Sequence, residues 1–120
     1  MTEEQLATVH AYMLAELERE GAHIDRIYHC SDLAGSGSPF RKPAPGMALK
    51  AQQDFPGIDF RKSMMVGDSA SDMVFGRNLG MITVGISGLE PIANELCDYH
   101  FNSLAEFSSW ISEHQNSVLL

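Results

Sequence analysis

The sequence predicts an α/β fold, with a parallel sheet and helices on both of its faces. Short apolar or β-branched runs alternate with helical segments from Ile24 onward, and this alternation is typical of βαβ units. The chain has 120 residues, of which 44% are hydrophobic and 20% charged, so residues 1–120 suit one folded domain. The most distinctive polar residues follow the predicted strands, where ligands bind in such sheets.

The first predicted element is a helix that opens with a capping box, in which Thr2 is the cap and Gln5 lies three residues later. Apolar residues then recur at spacings of three and four, as on one helix face. They are Leu6, Val9, Met13 and Leu17. Gly21 is a suitable stop for this helix. Residues 24–29 are short and rich in β-formers, so they are predicted to form the first strand.

The rest of the chain continues the alternation. Helices are predicted at residues 47–55, 71–79, 91–96 and 103–114, and strands at 63–66, 81–86 and 99–101. Pro45 suits the first turn of a helix, Gly80 suits a helix stop, and a second capping box begins at Ser103. The alternation therefore predicts a four-stranded sheet.

Charge and composition exclude several classes of protein. Sixteen acidic residues against eight basic ones give a net charge of −8, and the scattered basic residues do not form a nucleic-acid surface. No run of 18 apolar residues predicts a membrane span, and the acidic start is not a signal peptide. Cys30 and Cys97 are too few for a disulfide framework or a four-ligand zinc site. These features favour a cytoplasmic protein.

Two carboxylates follow the predicted strand at residues 63–66. Asp68 comes directly after it, and Asp72 falls in the first turn of the next helix. Two carboxylates so close together need a cation, a proton or a helix dipole to coexist, and Mg²⁺ is the usual partner for hard oxygen ligands. A structural explanation stays open, in which Asp68 or Ser69 caps the helix and Asp72 favours its N-terminus.

A stiff basic loop precedes the second predicted helix, in the run Arg41-Lys42-Pro43-Ala44-Pro45-Gly46-Met47. Each proline restrains the residue before it, so the loop presents two adjacent cations with little conformational entropy left to lose. Arg41 offers a planar fork and Lys42 a point charge to an anion, and the helix start adds a positive dipole end. Together they indicate a phosphate site. The alternative is a solvent-exposed basic turn.

The two motifs together resemble motifs III and IV of the haloacid dehalogenase (HAD) superfamily, whose fold is Rossmann-like. The run from Arg41 to Met47 resembles the Arg-Lys-Pro-x-Pro-Gly-Met signature of the D,D-heptose 1,7-bisphosphate phosphatase and histidinol-phosphatase group. The run Gly67-Asp68-Ser69-Ala70-Ser71-Asp72 matches the Gly-Asp-x-x-x-Asp pattern of the superfamily. The similarity extends from the first helix to Phe107.

The resemblance implies a Mg²⁺-dependent phosphatase acting on a small phosphorylated sugar. It implies that Lys42 neutralises charge on the phosphoryl group, that Arg41 contacts the substrate, and that Asp68 binds Mg²⁺. Asp72 would not contact the substrate itself and would support either the metal ion or Lys42. Ser69 stands where some relatives place a substrate-contacting lysine, so it is a candidate substrate-binding residue.

The sequence also departs from the family pattern. Many members carry a zinc loop of Cys and His residues, but Cys30 has no such partners and Phe40 stands where a cysteine would precede Arg41, so no zinc is expected. No Asp-x-Asp motif, the family's nucleophile and general acid, occurs in the 120 residues. The chain is therefore expected to be an incomplete HAD-like domain that lacks the nucleophile strand, and the isolated chain is expected to be inactive.

The missing strands would lie between the strands at residues 24–29 and 63–66. We expect these two strands to pair directly, because pairing recovers ladder hydrogen bonds, and Lys42 and Asp68 would then lie on adjacent strand ends. The other way to provide hydrogen-bond partners for the unpaired backbone groups at the sheet edges is association with another chain. A non-catalytic remnant or binding module with the same fold remains the alternative to a phosphatase.

Overall fold

The computed structural model describes residues 2–29, 38–39 and 42–114. The α-helices are α1 (Glu3–Arg19), α2 (Gly46–Asp54), α3 (Ala70–Asn78) and α4 (Leu104–Glu113). The strands are β1 (Met64–Gly67), β2 (Ile82–Ile86) and β3 (Tyr99–Phe101). Single turns of 3₁₀-helix cover Phe60–Lys62 and Asn94–Leu96. Every one of these α-helices and strands lies within one or two residues of a sequence prediction.

The sheet is parallel throughout and has the order β1-β2-β3. Met64 lies opposite Ile82, and Val84 lies opposite Tyr99. Since the strands run in the same direction, their carboxyl ends and the loops that follow them meet at one edge of the sheet. The predicted α/β fold with a parallel sheet is confirmed.

The core lies between α3 and the first two strands. Met73 on α3 and Val84 on β2 have no exposed surface. The helix approaches closely at Gly76, where an added Cβ would lie 2.8 Å from Met65 Cβ and 2.9 Å from Thr83 Cγ2. Gly76 therefore permits the close packing of α3 on β1 and β2.

The predicted strand at residues 24–29 is wrong. These residues form no ladder with any described strand, so the expected direct pairing with 63–66 is also wrong, and the described sheet has three strands rather than four. A short run of β-formers becomes a strand only when a neighbouring strand supplies hydrogen bonds and packing. Among the described strands, β1 pairs with β2 alone.

Side-chain contacts hold residues 24–29 instead. Tyr28 Oη donates a hydrogen bond of 2.6 Å to Asp54 Oδ2 at the end of α2. His29 Nε2 lies 2.9 Å from Glu3 Oε2 on α1. These contacts attach the segment to two helices without a backbone ladder.

An apolar groove of about 300 Å³ opens beside β1. Its lining includes Tyr28, Met47, Phe60, Met81 and, from the strand itself, Met64.

The capping predictions hold in detail for α1. Thr2 Oγ1 accepts from the Gln5 amide at 3.0 Å, and Gln5 Oε1 accepts from the Thr2 amide at 2.8 Å, so the capping box is confirmed. At α4, Ser103 Oγ accepts from the Glu106 amide, but Glu106 Oε2 accepts from the amide of Asn102 rather than from that of Ser103. The second box is therefore only half formed.

Glycines end α1 and α3 as predicted. Gly21 has a φ of 81° and Gly80 a φ of 82°, in the left-handed region that only glycine enters without strain.

Aromatic side chains attach α4 to β3. The Trp110 ring centroid lies 4.8 Å from that of Tyr99 and 5.4 Å from that of Phe101, so Trp110 is a packing anchor. Within the described residues, none of the helices combines the length and apolar character needed to cross a membrane.

Candidate active site

Asp68 stands at the carboxyl end of β1, directly after Gly67. Its side chain is exposed, and it packs against the loop that follows β2. A Cβ added to Gly88 in that loop would lie 2.9 Å from Asp68 Cβ and 3.0 Å from Asp68 Oδ2. The parallel sheet thus brings Asp68 and the loop after β2 to the same edge, as ligand sites in such sheets require.

Asp72 lies in the first turn of α3 and is buried, with 6% of its surface exposed. Ser69 caps the helix, because its Oγ accepts from the Asp72 amide at 3.3 Å. The Asp72 side chain occupies the space beside Gly67, where an added Cβ would lie 2.5 Å from Asp72 Cβ and Cγ. Ser69 therefore has a clear structural role, while its predicted contact with substrate remains a prediction.

An ion pair joins the two predicted motifs. Lys42 Nζ lies 2.6 Å from Asp72 Oδ1. The Asp72 side chain is 9% exposed and the Lys42 side chain 36% exposed, so the carboxylate is enclosed while water reaches the ammonium group. The structure thus gives Asp72 a partner in Lys42, one of the two possibilities that the sequence left open.

One backbone hydrogen bond ties the segment before Lys42 to the start of α2. The amide of Gly46 at the start of α2 donates this bond of 2.7 Å to the carbonyl of Pro39. This agrees with the stiffness predicted from the prolines of the loop.

The structure brings together Lys42, Asp72, Ser69 and Asp68, around the end of β1 and the start of α3. Arg41 lies outside the described residues, so its predicted substrate contact stays a prediction. Because residues 24–29 are not a strand, the expected arrangement of Lys42 and Asp68 on adjacent strand ends is wrong. Lys42 instead reaches the site from the loop before α2.

Two glycines of the site were not predicted to have a role there. Gly67 makes room for Asp72 and Gly88 makes room for Asp68. Gly67 was visible in the sequence as part of the Gly-Asp pair. Gly88 had a weaker signal, namely a glycine two residues after the end of a predicted strand, at the edge of the sheet that carries the site.

The exposed carboxylate of Asp68 fits a Mg²⁺ ion that keeps most of its water ligands. Among the described residues, no group of three or more His, Cys, Asp or Glu side chains is arranged to hold a metal. Mg²⁺ keeps several of its waters and is commonly bound by one or two carboxylates with substrate phosphate, and Asp68 presents an exposed carboxylate at the sheet edge. Cys30 and Phe40 lie outside the described residues, so the expected absence of zinc stays a prediction.

The resolved pKa shifts belong to groups with structural contacts. The hydrogen bond from Tyr28 lowers the pKa of Asp54 below its usual value. Burial raises the pKa of the Cys97 thiol, which packs under Gly85 of β2. A raised pKa suits a neutral packing group rather than a nucleophile.

Residues 39–94 match the family described as HAD-hydrolase-like. The chain is 42% identical over 73 residues to the D-glycero-alpha-D-manno-heptose-1,7-bisphosphate 7-phosphatase of Campylobacter jejuni, covering 61% of this chain and 41% of the relative. It is 34% identical over 125 residues to the D-glycero-beta-D-manno-heptose-1,7-bisphosphate 7-phosphatase of Escherichia coli, covering 95% and 65%.

A solved structure shares the fold. It is the D,D-heptose 1,7-bisphosphate phosphatase of B. bronchiseptica, complexed with magnesium and phosphate. The TM-score is 0.77 at 22% identity, and the match covers 93% of this chain and 65% of that one. Across these comparisons, the chain spans between about two fifths and two thirds of the length of its relatives. The predicted resemblance to the HAD superfamily and its heptose bisphosphate phosphatase group is confirmed.

Proposed function

We propose that this chain, which resembles the heptose bisphosphate phosphatases of the HAD superfamily, carries the phosphate-binding and metal-binding half of a Mg²⁺-dependent sugar phosphatase. The observation that carries the proposal is the ion pair of 2.6 Å between Lys42 and Asp72, beside Asp68 at the carboxyl edge of the sheet. The relatives are named as 7-phosphatases of a heptose 1,7-bisphosphate, so a small phosphorylated sugar is the proposed ligand.

Lys42 and Asp68 have roles that their positions support, and the role of Arg41 rests on the family resemblance. Lys42 is fixed by Asp72 and keeps a third of its side chain exposed, so its ammonium group can neutralise an incoming phosphoryl oxygen. Holding a cation in place before the ligand arrives avoids reorganisation when charge develops. Asp68 and solvent would hold the Mg²⁺ ion, which when bound screens the negative charge of the phosphoryl group. Arg41 is the proposed contact to the remainder of the sugar.

The same residues do not supply a nucleophile. Covalent phosphoryl transfer in this family needs an Asp-x-Asp motif, and the 120 residues contain none. Binding and charge neutralisation without a nucleophile leave no route to an aspartyl-phosphate. We therefore propose that the isolated chain binds phosphate esters and does not turn them over. This observation also favours the second candidate function, a HAD-like binding module.

A binding measurement tests the proposal. The wild-type chain should bind a sugar bisphosphate in the presence of Mg²⁺, and Lys42→Gln should weaken this binding about tenfold, since a charge-assisted contact contributes roughly 1.5–3 kcal/mol. Lys62→Gln is the matched control, because Lys62 is exposed and precedes the opposite end of β1. An equal loss of affinity in Lys42→Gln and Lys62→Gln would mean that binding depends on the overall charge of the chain and not on the position of Lys42.

An activity assay separates the two candidate functions. With a sugar bisphosphate and Mg²⁺, release of phosphate by the isolated chain at about one per second or faster, a typical enzyme rate, would refute the proposed inactivity. The control is Asp68→Asn, which must abolish any such activity for it to be assigned to this site.

Self-association through β1 is also part of the proposal. Among the described strands, β1 pairs on one side only, and the apolar groove lies beside it. Exposed strand edges of this kind invite pairing with another chain. Sedimentation at increasing protein concentration should show a dimer, and a monomer throughout would contradict this. Cytoplasmic location stays a prediction.

A further inference from the structure

We propose that Gly88 is a positioning residue for Asp68: its lack of a side chain leaves the space that the carboxylate occupies, and its backbone restricts where the carboxylate can point. The role toward Mg²⁺ rests on the proposed function. The contact between the two residues does not depend on that function.

The geometry of the contact is close. A Cβ on Gly88 would lie 2.9 Å from Asp68 Cβ, 3.0 Å from Oδ2 and 3.3 Å from Cγ. Such distances are shorter than ordinary van der Waals contact. Since the nearest atom is Cβ rather than the far end of the side chain, Asp68 cannot escape by turning its carboxylate alone. Either the strand end or the loop after β2 must move.

Space, and not backbone conformation, explains why a glycine stands here. The described glycines with positive φ are Gly21 and Gly80, and both end helices. Gly88 is not among them, so another residue could adopt its backbone conformation. Gly57 also has no positive φ, and an added Cβ there would meet nothing within 4 Å. Gly57 is therefore a matched control for an alanine substitution without a clash.

The contact matters because Asp68 is otherwise exposed. A surface carboxylate normally samples several rotamers, and each one that points away from the metal lowers the binding-competent fraction. Packing against the loop after β2 removes some of these rotamers. Mg²⁺ tolerates little deviation from octahedral geometry, so a displaced Asp68 would lose affinity for the metal. Residues that orient a metal ligand typically change affinity by tenfold or more when they are substituted.

The experiment measures metal binding and side-chain position separately. Mn²⁺, observed by EPR through loss of the free-ion signal, replaces Mg²⁺ as the probe for the wild-type chain, Gly88→Ala, Gly57→Ala and Asp68→Asn. In the metal-free proteins, the carboxyl ¹³C resonance of Asp68 is followed by NMR. Urea denaturation establishes that each variant is folded.

We expect Gly88→Ala to weaken Mn²⁺ binding by about tenfold and to move the Asp68 carboxyl resonance. Gly57→Ala should change neither, and Asp68→Asn should abolish binding. A Gly88→Ala chain that binds Mn²⁺ within twofold of the wild type would overturn the inference and leave the proposed function standing.

If the wild-type chain shows no binding that depends on Asp68, the metal role of the proposed function fails. The carboxyl resonance then decides the positioning by itself. A shift in Gly88→Ala but not in Gly57→Ala upholds the positioning of Asp68, and an unchanged resonance refutes it. Should Gly88→Ala not fold while Gly57→Ala does, Asp68→Gly combined with Gly88→Ala must restore folding, because it removes the Cβ, Cγ and Oδ2 atoms that clash; failure to restore it would also refute the inference.

Discussion

Replacing Lys42 with methionine should destabilise the chain more than replacing its partner Asp72 with asparagine. The two side chains form one ion pair of 2.6 Å, but they differ in exposure, at 36% for Lys42 and 9% for Asp72. Removing Lys42 leaves a carboxylate that water barely reaches. Removing the charge of Asp72 leaves an ammonium group that water can solvate.

The expected magnitudes follow from these exposures. Removing one partner of a fully buried ion pair costs roughly 3–5 kcal/mol, and partial exposure of Lys42 reduces this to about 2 kcal/mol for Lys42→Met. Asp72→Asn should cost about 1 kcal/mol, since it leaves a hydrated cation and keeps a side chain of similar shape. The double variant should cost about 2 kcal/mol, no more than Lys42→Met alone, which corresponds to a coupling of about 1 kcal/mol.

Urea denaturation of the four proteins measures these differences at constant pH and salt. The surface pair between Arg19 and Glu16, at 2.9 Å with side chains 71% and 37% exposed, is the control, and Arg19→Met should cost less than about 0.5 kcal/mol. If Lys42→Met costs no more than Arg19→Met, the ion pair does not stabilise this site. If Asp72→Asn costs more than Lys42→Met, the reasoning from exposure is wrong.

Two further outcomes are expected. Gly76→Ala should destabilise the chain by about 2 kcal/mol, because the new methyl group would collide with Met65, whereas Gly57→Ala should have little effect; equal urea midpoints would contradict this packing. Tyr28→Phe should raise the pKa of Asp54 toward its ordinary value in an NMR titration, because the lost hydrogen bond is the main cause of its lowering. Since the folded pKa of Asp54 is the lower one, its contribution to stability is present above the unfolded pKa and is lost as the pH falls through the folded pKa; an unchanged pKa in Tyr28→Phe would contradict the assignment.

Local signals in the sequence predicted the elements that depend on local interactions. Thr2 and Gln5 cap α1 because their side chains satisfy backbone groups only three residues away. Gly21 and Gly80 end helices because of their own backbone freedom. Such features need no knowledge of the rest of the fold.

Residues 24–29 show where local signals fail. Their β-forming side chains predicted a strand, but a strand needs a neighbour to complete its hydrogen bonds. Here the hydrogen bond from Tyr28 to Asp54 attaches the segment to α2, and the contact of His29 with Glu3 attaches it to α1. Both contacts join residues 26 positions apart, which no local pattern could reveal.

The sequence predicted individual residues of the site but not how these residues contact one another. Motif spacing identified Lys42, Asp68 and Asp72, but it left open whether Asp72 supports a metal or the lysine. The ion pair favours the lysine. The role of Gly88 depends on how the loop after β2 meets Asp68, a contact between two strand ends that becomes visible only in the folded chain.

The most direct test of the account is an NMR titration of the isotopically labelled chain with inorganic phosphate and Mg²⁺. We expect saturable shifts confined to the sheet edge, at residues 67–72, Lys42 and Gly88, with phosphate binding strengthened by Mg²⁺. Asp68→Asn should remove the effect of Mg²⁺ and Lys42→Gln should weaken the response to phosphate. Shifts that are absent, or that spread over the apolar groove instead of the sheet edge, would contradict a phosphate and metal site at the end of β1.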